Sequence, residues 1–131
     1  MGTRIEELDS LVTGDFTVRE VLAIVDEQDT AVALQFVFTD GSSLVCTAWT
    51  DWSLRADKRA DAQIPDYFWP VSDYSQTPAG IDIPAEGAAI ESVAAADDET
   101  GTLIGADFRI AGHRVSVKSV AGEIELSIRG V

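Results

Sequence analysis

Apolar side chains recur at every second position through the stretch from Thr30 to Leu54. Val32, Leu34, Phe36 and Phe38 form one row, an Asp40-Gly41 turn follows, and Leu44, Cys46 and Ala48 resume the period. Successive side chains of a strand point to opposite faces, so the pattern predicts a half-buried hairpin with one apolar side. Ahead of it, Thr17 to Asp26 is apolar at both parities, Val21, Ala23 and Val25 on one and Leu22 and Ile24 on the other. A strand covered on both faces has that composition. Phe16 is placed to anchor its start, and Glu27-Gln28-Asp29 forms a polar turn into the hairpin. Beyond the hairpin, Trp52, Leu54 and Ala56 alternate with Ser53, Arg55 and Asp57, which completes a meander of four strands.

The second half repeats this plan. Val21 to Glu27 aligns with Val93 to Glu99, Phe36 with Phe108, Phe38 with Ile110, Leu44 with Val115 and Leu54 with Leu126. Gly41 meets Gly112 after a slip of one residue. Ile104, Ala106, Phe108 and Ile110 make one inward row, Val115 and Val117 a second, and Ile124, Leu126 and Ile128 a third. Their outward neighbours, among them Arg114, Ser116, Lys118, Glu123, Glu125, Ser127 and Arg129, are polar. Low identity between the halves leaves two origins open, true duplication and convergent patterning. Either predicts the same structure: a mostly-β domain of about eight antiparallel strands in two similar four-stranded meanders, apolar faces together as a sandwich or barrel.

Two segments break the strand pattern. Thr3-Arg4-Ile5-Glu6 matches a helix capping box, Ile5, Leu8 and Leu11 or Val12 continue as a stripe, and Gly14 is a stop. A short N-terminal helix is therefore expected. Residues 58–87, between halves spanning about 17–57 and 88–130, hold all 4 prolines and 4 of the 10 aromatic residues. A flexible linker is poor in aromatics, so this crossover is expected to lie packed across a single domain spanning 1–131.

Charge changes the picture more than composition does. Twenty-three acidic and 9 basic side chains leave a formal net charge of −14. Such a chain repels nucleic acid and anionic membranes and steers basic partners toward itself. No basic start followed by an apolar stretch marks a secretion signal, and no apolar run is long enough to span a bilayer. The single cysteine, Cys46, sits on the inward parity of its strand, where cysteine serves as a small apolar filler, and fits a cytoplasmic location.

Catalytic and metal chemistry find little to work with. One histidine and one cysteine do not assemble a zinc or iron set, and the acidic runs at Asp26 and Asp97 lack the ligand spacing of a calcium loop. His113 follows Gly112 in a turn, with no Gly-x-Ser-x-Gly to serve. No phosphate-cradling glycine loop is present. The expectation is a non-enzyme without catalytic residues, metal or cofactor.

The remaining signal is a set of aromatics interleaved with aspartate. Trp49, Asp51, Asp66, Tyr67, Asp73 and Tyr74 are the candidate contact residues for a protein partner. Tryptophan and tyrosine anchor interfaces, and flanking aspartates meet lysine or arginine. The same aromatics also have a structural use, Trp52, Phe68 and Trp69 plugging the open end of the sandwich. The segment Phe38-Thr39-Asp40-Gly41-Ser42-Ser43-Leu44, with Asp51-Trp52-Ser53-Leu54 after it, resembles small bacterial immunity-type proteins. That resemblance implies a cytoplasmic partner that binds and blocks a basic cognate toxin. A small-molecule-binding β domain roofed by the crossover, and an accessory oligomeric protein, remain alternatives.

Overall fold

The computed structural model describes residues 16–49, 53–121 and 123–130. The expected N-terminal helix falls outside these residues. In chain order the strands are β1 (Thr17–Val25), β2 (Ala31–Phe38), β3 (Ser43–Ala48), β4 (Leu54–Arg59), β5 (Ser75–Pro78), β6 (Ala88–Asp97), β7 (Leu103–Ile110), β8 (His113–Val120) and β9 (Glu123–Gly130). All pair antiparallel.

Two corrections follow. The described residues form nine strands where about eight were expected, because the crossover contains β5, which Pro70 ahead of it and Pro78 at its end concealed. They also form one open sheet, in the order β4-β3-β2-β1-β6-β7-β8-β9 with β5 on β1, and not two separate meanders. The joint is short: Thr17 pairs with Ala89 and Val18 with Ala88. Those pairs occupy backbone groups that would otherwise be left without ladder partners at the corner. Gly87 makes the joint possible. Its φ is +91°, and a Cβ there would lie 2.4 Å from Thr17 Cγ2 and 3.0 Å from the Val18 carbonyl oxygen.

The sheet folds so that the inner sides of its two wings share a core. Val21, Leu34, Phe36 and Leu44 pack in one cluster with Phe108, Ile110, Val115 and Val117, and the Phe36 and Phe108 rings meet at 4.7 Å. Cys46 is buried here, and burial pushes its thiol up to about 12, so the thiolate is not formed near neutrality. Phe16 stacks on Phe38 at 4.9 Å, with the Lys58 ammonium 4.0 Å above its ring, and so pins the start of β1.

The repeat extends to the hydrogen-bond register. β1 pairs with β2 as Val21 to Phe36, and β6 with β7 as Val93 to Phe108, 72 residues on. Register shifts between Val18 and Glu20 and between Ile24 and Val25 recur between Ile90 and Ser92 and between Ala96 and Asp97. Even the turns agree. Asp26 Oδ1 accepts from the amides of Gln28 and Thr30, as Asp98 Oδ1 does from those of Thr100 and Thr102. Two details differ from the sequence alignment. Leu103, not Ile104, turns inward, because the second shift falls there. Leu54 pairs with Ala48 as Ile124 pairs with Ser119, so Leu54 matches Ile124, and Ala56 matches Leu126.

Candidate partner-binding surface

The outer face of β1–β3 is covered by the crossover. Alternate residues of a strand point away from the main core, and here those residues are Ile24, Ala33 and Val45, which pack under Ile64, Phe68 and Tyr74. Polar groups in this layer are paired. The buried Gln35 donates through Nε2 to Ser43 Oγ (3.2 Å) and to the Gln63 carbonyl (3.3 Å). Its Oε1 accepts from Gln76 Nε2 at 2.7 Å, and Gln76 also donates to the Ala62 carbonyl at 2.8 Å. Ser43 Oγ donates to the Asp61 carbonyl at 2.6 Å. Gln35 is the peg that holds the crossover down.

An aromatic chain runs along this cover. Trp49 meets Tyr67 edge-on at 5.4 Å, Tyr67 meets Phe68 at 5.1 Å, and Phe68 meets Tyr74 at 5.3 Å. The Arg55 guanidinium lies 4.3 Å over the Trp49 ring. The Tyr67 hydroxyl donates to Asp57 Oδ2 at 2.8 Å, and Arg59 Nη1 reaches the same oxygen at 3.1 Å. Burial, and then the bond to Asp57, drives the Tyr67 hydroxyl's pKa upward. Trp49 and Tyr67 are therefore brought together, as half-buried bracing already engaged by two arginines and a carboxylate.

The acidic members separate from that end. Asp51 and Trp52 lie outside the described residues. Asp66 is exposed, and Asp73 and Tyr74 are half-buried at the far end of the chain of rings. A hydrogen bond to Asp73, and then the Asp73 charge, hold the Glu27 carboxyl above its ordinary value. Beside this pair, Phe68 and Tyr74 wall a groove of about 270 Å³ with Asp26 and Glu123 at its rim. Aromatic walls and carboxylates suit a lysine or arginine side chain.

Trp69 overturns its structural assignment. Expected as part of a plug, it is 81% exposed, with Val71 beside it 38% exposed. Phe68 takes the inward position in the turn and bend that run from Asp66 to Pro70, and Trp69 is left facing out. The sequence signal that could have placed it is its turn context, between Asp66 and Pro70. Glu27 was also missed, since it meets Asp73 only through folding.

Among the described residues, no group of three or more histidine, cysteine, aspartate and glutamate side chains could hold a metal ion. No helix among them is long and apolar enough to cross a membrane. Comparison with protein-family models, with curated proteins and with solved structures finds no match to this chain.

Proposed function

We propose that this protein is a non-catalytic, acidic binding module for a basic protein partner, in the form of a cytoplasmic immunity protein that neutralises a cognate bacterial toxin. One observation carries the reading: Trp69 stands 81% exposed on a crossover braced from behind by packed aromatics and hydrogen bonds. A large apolar side chain held out from a braced segment is a ready interface anchor, because little conformational freedom remains to be lost on docking. Asp66 and Asp73 flank it in sequence, and the groove by Tyr74 accepts a cationic side chain. Asp51 stays in the proposed patch from the sequence; Trp49 and Tyr67 support the patch from beneath. The net charge of −14 steers a basic partner in and repels nucleic acid and anionic membranes.

The test is capture and titration of the product of the neighbouring gene. Trp69→Ala is expected to weaken binding by about 2 kcal/mol or more. Charge reversal at Asp66 and Asp73 is expected to slow association and flatten its salt dependence. Binding indifferent to salt and to both reversals would refute the reading.

A further inference from the structure

The repeat singles out an edge that carries no strand among the described residues. β1 has both edges occupied over Leu22–Val25: β2 lies on one, and β5 pairs with the other as Leu22 to Pro78, Ala23 to Thr77, Ile24 to Gln76 and Val25 to Ser75. The equivalent residues of β6 are Ala94–Asp97, in the same register with their neighbour strand and flanked by the same two shifts. Their other edge holds no strand among the described residues, because β6 meets β1 only at Ala88 and Ala89. Leu22, Ala23, Ile24 and Val25 are buried, while Ala94, Ala95, Ala96 and Asp97 are exposed.

This edge also lacks the usual protection. Sheet edges are commonly kept from pairing by charged side chains or proline. β4 carries Arg55, Lys58 and Arg59, β9 carries Glu123, Glu125 and Arg129, and β5 ends on Pro78. Ser92-Val93-Ala94-Ala95-Ala96 has neither charge nor proline, and acids bracket it: Glu91 before, and Asp97, Asp98 and Glu99 after, all exposed.

We propose that the outer edge of β6 over Ser92–Asp97 takes an extended basic segment of a partner protein, added antiparallel as β5 is added to β1. Backbone hydrogen bonds supply the attachment, and the bracketing carboxylates select lysine or arginine at its ends. The edge geometry stands by itself, and only the assignment of the segment to a partner rests on the function proposed above.

The probe is a capped peptide of alternating lysine and threonine, titrated into the isotope-labelled full chain with amide shifts and hydrogen exchange followed by NMR. The amides of Ser92–Asp97 that face away from β7 are expected to shift and to slow their exchange by about tenfold or more at saturation. The same peptide N-methylated at alternate residues keeps its charge but loses one row of donors, and is expected to leave those amides unchanged. Equal binding of both peptides, or no response at Ser92–Asp97, would overturn the proposal. Protection, without peptide, of those amides that face away from β7 would also overturn it, by giving the edge to a second copy where it grows with protein concentration and to this chain where it does not. Trp69→Ala should leave the peptide response intact, so failure here and failure of the partner-binding patch are separately visible.

Discussion

Gln35 and Asp107 occupy the same place in the two halves, yet one is an amide and the other a carboxylate. Each faces away from the shared core and bonds across to the next strand, Gln35 to Ser43 and Asp107 to Arg114 and Ser116. The difference lies in what covers them. The crossover seals the first outer face, and a neutral amide can be fully satisfied in a dry layer where an unpaired charge is costly. Among the described residues no segment covers the second outer face, and there a carboxylate–guanidinium pair at 2.9 Å is partly exposed, beside a polar groove of about 280 Å³ that includes Lys118, Glu125 and Arg129. The strands obey the same rule: Leu22 and Ile24 where β1 is covered, Ala94 and Ala96 where β6 is not. One backbone plan thus carries two surface chemistries, and the cover decides which.

Substitutions at equivalent positions should break this symmetry unequally. Ile24→Ala removes a fully buried side chain from beneath Phe68 and Tyr74 and is expected to cost about 2–5 kcal/mol in urea unfolding. Ala96→Ser, at the matching site, should change stability by no more than about 0.5 kcal/mol. Equal effects would mean that the crossover does not seal the first face.

Gln35→Ala takes one hydrogen-bond partner each from Gln76, Ser43 and the Gln63 carbonyl under the crossover and is expected to cost about 1–3 kcal/mol. Hydrogen exchange should then speed up in β5 more than in β7. A uniform loss would show that Gln35 supports the core generally and does not peg the crossover.

Asp107→Asn should matter far less, within about 0.5 kcal/mol, because its ion pair is solvated. The bond from the Ser116 hydroxyl holds the Asp107 carboxyl below its ordinary value; burial opposes it, and Arg114 adds to the lowering. A depressed folded pKa stabilises above the unfolded value, so that contribution is present at neutral pH and is lost as pH falls through the folded pKa. The variant should therefore lose acid dependence in that window while the neutral-pH midpoint barely moves.

The smallest effect is electrostatic. Asp73→Asn should bring the raised Glu27 carboxyl back down toward the ordinary range in an NMR titration, with little change in stability. No movement of Glu27 would separate the two carboxyls and remove them as a joint contact for a basic partner.

Much of the fold was legible because its causes are local. The alternation at Val32 to Phe38 and at Val115 to Val117, and turns such as Asp40-Gly41 with Gly41 at φ +90°, specify strands and hairpins within a few residues. Double-sided burial of β1 showed in its composition, and so did the presence of a packed crossover. The repeat was visible too, although the loop after β3 is longer than its counterpart after β8 and moved the match of Leu54 by two positions. The binding surface was less legible. Trp49 and Tyr67 were legible as members of an aromatic set, but Arg55, Asp57 and Arg59, which engage them, lie on a strand whose alternation marks only direction.

What the chain alone determined is the period-two patterning, the turn chemistry and the acidic excess, each a property of neighbouring residues or of their sum. Folding decided the rest: one sheet joined at Thr17–Val18 and Ala88–Ala89, a fifth strand on β1, Trp69 turned outward, Glu27 set against Asp73, and an edge of β6 without a strand among the described residues. Those features depend on which distant segment reaches an edge or face first. Strand edges are interchangeable in backbone chemistry, so only the packing of the whole chain selects among them.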